Sequence, residues 1–238
     1  MKSIWSSFKM LMKQIRSDGI LVVVLIAPIL AGFFFKFGIP FIDLQISIYY
    51  DINLPIYPFY RLIDLVLGAV TSYMFAFVIA MSMLEDYDNN IIAHLIVTPI
   101  KRSGYLISRI VIPLGISWAF SVIVMQIFTL EYWPFQQILL LTGLLTISSF
   151  SISLMIFCFS NNKVEGMAIA KISGITMMGL VIPFVLSDNT QFLFGFLPSF
   201  WIAKLAMQTQ FFALIFTLIC TAFWIFILYK KFLRKLSK

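Results

Sequence analysis

The sequence predicts an all-α, polytopic membrane protein with six transmembrane helices. Three observations predict it. Apolar residues (AVILMFWYC) make up 61% of the 238 residues and charged ones only 11%. Mean hydropathy is +1.01. A soluble domain is about half apolar and a quarter charged, and one of this size has too much surface to hide the excess. The apolar runs are also near-continuous over about 20 residues, the length of a spanning helix, and show no period-two alternation of a barrel.

In chain order, residues 1–19 come first. Met1, Ile4, Trp5, Phe8, Leu11, Met12 and Ile15 recur at helical spacing, with lysines, serines and Arg16 on the other face and Gly19 as a stop. This is an amphipathic interfacial helix. A cleaved signal is disfavoured, because no small-x-small site follows. The spans are then Ile20–Phe37, Leu62–Leu84, Ile110–Leu130, Ile138–Phe159, Val164–Leu186 and Phe211–Tyr229. Residues 38–60, with Pro40, Pro55, Pro58 and several tyrosines, read as an outer loop on the membrane surface. Residues 192–207 are apolar but short, broken by Gly195 and Pro198, and contain Lys204. They read as a re-entrant hairpin before the last span. No repeat or linker divides the chain, so residues 1–238 form a single transmembrane domain.

Charge fixes the orientation expected. With six spans both termini share one side. That side holds Lys2, Lys9, Lys13, Arg16, Lys101, Arg102, Arg109, Lys163, Lys171, Lys230, Lys231, Arg234, Lys235 and Lys238. Only Lys36, Arg61 and Lys204 remain for the other. The positive-inside rule places both termini in the cytoplasm. The net charge of +7 thus reads as membrane orientation and contact with anionic lipid, and no nucleic-acid partner is expected.

Catalytic chemistry is not encoded in any recognisable motif. His94 is the single histidine, so a multi-histidine metal site within one chain is excluded. Neither GxSxG nor GxxxxGK[ST] occurs. The chain is expected to bind no cofactor and to be no enzyme, and any ATP hydrolysis belongs to a separate polypeptide. Cys158 and Cys220 both lie in apolar runs, which argues against a disulfide framework.

The most informative segment is residues 85–109, EDYDNNIIAHLIVTPIKRSGYLISR. An acidic cluster (Glu85, Asp86, Asp88) precedes a short apolar stretch, which Thr98-Pro99 ends before Lys101-Arg102. Acidic residues suit a helix N-terminus and proline ends a helix. The same residues also fit a solvated loop with interface anchors.

This segment resembles the intracellular loop of ABC exporter permeases of the type-2 class. Asp86 and Asp88 match the acidic pair of that pattern, Ile92 its first leucine, and Leu95, Ile96, Val97, Thr98 and Pro99 its tail. Asn90, Ile91 and Ala93 depart from it. The interfacial helix, six spans, Asn161–Gly166 and Pro198-Ser199-Phe200-Trp201 also resemble drug-export members. The resemblance implies a permease for a drug, peptide or lipid in a bacterial inner membrane. It pairs with a second permease copy or a related permease, and each chain docks a separate ATPase that carries ATP and Mg. Residues 85–102 would then be the coupling segment, with Asp86, Asp88, Ile92, Leu95, Ile96, Thr98 and Pro99 at the ATPase. The alternatives are a stand-alone membrane protein, such as a vitamin-binding transporter subunit, or a heme-export-type permease.

Few ionisable groups lie deep in the spans. A pathway lined by Tyr73, Met74, Phe77, Met177 and Met178 would suit an amphipathic compound; core packing is the plainer reading for any one of them. Thr142, Thr146, Ser149 and Ser153 share one face of the fourth span, and Gly166, Ala170 and Gly174 one face of the fifth. Both read as helix-packing stripes. Lys36, Arg61 and Asp64 lie near the outer interface and read as an anchoring cluster, with Arg61 and Asp64 an i, i+3 pair.

Overall fold

The fold is that of a helical bundle, seen in a computed structural model that describes residues 2–51, 55–91, 101–186, 188–207 and 211–236. Among these residues, six helices are long and apolar enough to cross a membrane. The second and fourth form the centre. They are α4 (Tyr60–Asp88) and α7 (Phe135–Phe159), with 61% and 67% of their apolar windows buried against 17–33% for the other four. They meet at small residues that let backbones approach closely: Ser72 Oγ of α4 lies 3.5 Å from Thr146 Oγ1 of α7, and a Cβ on Gly68 would come within 3.2 Å of Leu145 Cδ1.

Helix α1 (Lys2–Ser17) docks its apolar face on this bundle, with Phe8, Leu11 and Ile15 buried in the main core cluster. Trp5, Met10 and Met12 are left outward. The first span is longer than expected. Helix α2 (Gly19–Phe33) passes through a π-turn (Phe34–Gly38) into α3 (Ile39–Tyr50). The whole runs 32 residues, about 48 Å at 1.5 Å per residue. The loop expected from residue 38 therefore starts only at Asp51, which caps α3 in the left-handed region at φ 52°. Pro40, which the sequence reading puts in that loop, lies within this continuous helix, and Gly38 before it is helical too (φ −71°). The buried carboxylate of Asp43 then ties α3 to the next span, accepting from Ile56 N (2.8 Å) and the Tyr60 hydroxyl (3.0 Å).

The third span starts at Ser103 rather than Ile110. It comprises α5 (Lys101–Leu106), a second π-turn (Ile107–Val111) and α6 (Ile112–Phe128). Both π-turns precede a proline, Pro40 or Pro113, and each contains the residue four positions before it, Lys36 or Arg109. A proline ring clashes with the carbonyl of residue i−4, and widening the turn relieves that clash.

The fifth span is broken. Helix α8 (Lys163–Ser173) gives way to a 3₁₀ stretch (Gly174–Leu180) and a single turn, α9 (Ile182–Val185). Gly179 permits a close approach there: a Cβ would lie 2.3 Å from Ser199 Oγ and 2.9 Å from Phe200 N. Those atoms open α10 (Pro198–Met207), which follows a 3₁₀ turn (Asn189–Phe194). Ten residues extend about 15 Å, too short to cross about 30 Å of hydrocarbon. Helix α10 is nonetheless mostly buried, against α7, the 3₁₀ stretch and α11 (Phe211–Leu236). The tail of α11 and α1 lie at the same end of the bundle, since Leu11, Leu84, Phe232 and Leu236 share one core cluster.

Candidate functional site

The end of the bundle that carries both termini is also where α4 runs into the proposed coupling segment. Its acidic residues are engaged within the chain. Asp86 is fully buried. Arg109 Nη2 donates to its Oδ1 at 3.1 Å, and the Tyr105 hydroxyl donates to Oδ2 at 3.2 Å. Arg109 Nε lies 2.8 Å from Oδ2, an ion-pair contact whose angle does not make a hydrogen bond. Among the described residues Nη1 has no hydrogen-bond partner. Arg109 side-chain exposure is only 2%, so the two charges compensate each other out of water. Next to the pair, Ser108 Oγ donates to Tyr105 O and lies 2.9 Å from Ser7 Oγ, linking α1 to the third span.

Lys163 is a second tie. Its Nζ reaches Asp18 Oδ2 at 2.5 Å and Glu85 Oε2 at 2.7 Å. Its backbone N–H donates to Asp88 Oδ2 at 3.2 Å. One residue thus joins the α1–α2 corner, the end of α4 and the start of α8. Asp18 also accepts from Ile20 N (2.9 Å) and Leu21 N (3.4 Å), capping α2. The Lys163 ammonium, with those caps, holds the Asp18 carboxyl below the usual carboxylate range. The start of α8 is a capping box: Asn162 Oδ1 accepts from Glu165 N (2.8 Å), and Glu165 Oε2 accepts from Asn161 N (2.7 Å). Gly166 lets α8 press on α4, since a Cβ there would meet Leu84 Cδ1 at 2.5 Å. Lys235 closes the same end, donating to the Phe157 and Ser160 carbonyls that end α7.

This corrects one reading. Asp86 presents no surface to a partner; it seats the root of the segment on the third span. Asp88 is exposed, yet its carboxylate also holds the first turn of α8. Ile92, Leu95, Ile96, Thr98 and Pro99 lie outside the described residues.

A groove of about 350 Å³ lies between α4 and the 3₁₀ stretch. Tyr73, Met74, Met177 and Met178 line it, beside Val66, Ala69 and Val70. The Tyr73 hydroxyl donates to Ala170 O at 2.5 Å, which fixes the ring along the wall. Phe77 is not brought to this groove; it packs against the core cluster at the termini end. The hydroxyl stripe of α7 faces packing partners instead. Thr142, Thr146, Ser149 and Ser153 are buried, and Thr146 Oγ1 meets Ser72 Oγ (3.5 Å), which in turn meets Ser121 Oγ (3.2 Å).

At the opposite end the expected Arg61–Asp64 pair does not form. Arg61 pairs with Glu131 at 2.7 Å, and Asp64 turns inward. It accepts from Leu130 N (2.8 Å), Glu131 N (3.1 Å) and Trp133 Nε1 (2.9 Å), organising the link between α6 and α7. An i, i+3 rule cannot see that three N–H groups 66 to 69 residues away need an acceptor. Lys36 is likewise engaged, donating to the Ile127 carbonyl at the end of α6.

Comparison with known proteins adds the family. Two curated relatives, the fluoroquinolones export permease proteins Rv2686c and MT2760 from two strains of Mycobacterium tuberculosis, are each 27% identical over 190 residues. The match covers 79% of this chain and 75% of each relative. No solved structure matches. The family model for Rv2686c-like fluoroquinolones export permease proteins matches residues 11–229, from α1 to near the end of α11, and the chain belongs to that family.

Proposed function

We propose that this chain is the membrane subunit of an ATP-driven exporter that moves an amphipathic aromatic compound, of the fluoroquinolone kind, out of the cytoplasm or inner leaflet. The observation that carries this reading is the family match over residues 11–229, with relatives named as fluoroquinolones export permeases. The groove supports it. Methionine and tyrosine make soft, polarizable contacts with flat rings, and the walls carry almost no charge to reject one. Two permease copies pair, and each docks a separate ATPase subunit that carries ATP and Mg. Residues 85–102 form the lever. Its root is held by the Asp86–Arg109 and Glu85–Lys163 pairs, so a push on Leu95, Ile96, Thr98 and Pro99 reaches α4, α8 and the third span together. The break in the fifth span beside the groove is the place where such a push bends a helix. Helix α10 is the re-entrant element, entering from the side opposite the termini.

Leu95→Asp and Ile96→Asp place a charge in the docking contact, which costs several kcal/mol if it packs against the partner. The expected result is an inserted, monodisperse permease that no longer co-purifies with its ATPase subunit and no longer lowers cellular fluoroquinolone accumulation. Normal co-purification and efflux by both variants would remove this segment from the coupling role.

Orientation is tested independently. In a background without Cys158 and Cys220, single cysteines at the exposed positions Ser6 and Asn161 should resist an impermeant thiol reagent in intact cells, and one at Tyr132 should react. Labelling of Ser6→Cys from outside would invert the assignment.

A further inference from the structure

We propose that the corner between α1 and α2 is a binding site for one anionic phospholipid, taken from the leaflet that borders the termini. This inference stands apart from the export reading. An apolar groove of about 490 Å³ opens in that corner, with Met12, Lys13 and Arg16 on one wall and Val22, Leu25 and Ile26 on the other. A second apolar cavity, about 230 Å³, lies beneath α1 and reaches Phe75 on α4 and Phe120 on α6. Leu25 and Ile15 line both, so the groove continues into the cavity.

Charge selects the occupant. Lys9, Lys13 and Arg16, at i, i+4, i+7, stand exposed along α1. Among the described residues, no ion pair includes any of them. The nearest carboxylate in sequence, Asp18, is engaged by Lys163 and by the N-terminus of α2. Arg16 and Lys13 thus form an uncompensated cationic rim on an apolar slot at the end of a spanning helix. A phosphodiester on the rim with an acyl chain in the slot satisfies both, whereas a zwitterionic headgroup gains less and a free phosphate leaves the slot open. The lipid would hold α1 and α2 apart at the corner that Asp18 hinges.

The test uses the full permease, purified in detergent and washed, with retained lipid read by native mass spectrometry. Thermal unfolding is measured with added phosphatidylglycerol or phosphatidylcholine. The wild type should retain phosphatidylglycerol in preference and be stabilised by it. Lys13→Gln with Arg16→Gln should lower that affinity roughly 30-fold while unfolding normally without lipid. Lys230→Gln with Lys231→Gln removes equal charge from the tail and should change little. Leu25→Trp, which plugs the neck, should abolish retention with the rim intact. Glycerol phosphate should not compete. Equal retention of both lipids overturns the proposal, as does equal loss in the tail control or unchanged retention in either corner variant. Displacement of the lipid by the exported compound, or by dimerisation through this corner, would assign the site to that occupant and overturn it too.

Discussion

Replacing Asp86 by alanine should be among the most damaging single changes in the chain, because it leaves the Arg109 guanidinium buried without its counter-charge. Breaking one side of a buried pair costs about 3–5 kcal/mol. The measurement is the fraction of monodisperse protein and its unfolding midpoint in detergent, and both should fall sharply. Asp86→Asn keeps an acceptor for the Tyr105 hydroxyl and should fall between alanine and wild type. The double variant Asp86→Ala with Arg109→Met should recover most of the loss, since an apolar pair of similar volume has no charge to strand. If Asp86→Ala alone unfolds like the wild type, the pair does not hold the root of the segment. Such a result would also move Asp86 back toward direct contact with a partner.

Asp64→Ala should come next in size. Two backbone N–H groups and the Trp133 indole lose their acceptor at once, and each unsatisfied buried donor costs about 1–3 kcal/mol. The link between α6 and α7 should open, so the expected readouts are a lower unfolding midpoint and faster proteolysis near the exposed Tyr132. Asp64→Asn should be milder. Arg61→Ala should change stability by only about 0–1 kcal/mol, because that pair is half in solvent. An Arg61→Ala protein as unstable as Asp64→Ala would show that the ion pair, and not the inward carboxylate, organises this turn.

The six spans were legible because hydropathy and length act locally: a run of about 20 apolar residues is a spanning helix whatever surrounds it. The packing role of the α7 hydroxyls was legible for a similar reason, since small polar residues at helical spacing mark a contact face. Partners were not legible. Glu85, Asp86 and Asp88 form one acidic cluster in the sequence, yet Asp86 meets Arg109 of the third span while Glu85 and Asp88 both meet Lys163 at the start of α8. What separates them is which way each points around the last turn of α4 relative to Arg109 and Lys163, and one helix does not contain that information. The extension to Tyr50 is not legible because Pro40 reads as part of a loop, whereas the π-turn that ends at Gly38 carries the helix past the proline. Of the groove, Tyr73, Met74, Met177 and Met178 were found by side-chain character alone, and Phe77 was not separable from them without the bundle.

The two π-turns carry a consequence for how this chain changes over generations. Each holds one residue more than an α-helical turn of the same rise, so residues before and after it are offset by about 100° around the axis. Losing Pro40 or Pro113 by substitution alone removes the reason for the bulge but leaves the surplus residue, and the helix beyond must then either keep an unneeded bulge or rotate its buried face into lipid. A single-residue deletion within Phe34–Gly38 or Ile107–Val111, made together with loss of the proline, restores the register of everything downstream. Length and proline content at these two places are therefore coupled. Relatives without the proline should carry their one-residue gaps inside the spans, where aligners place them least readily.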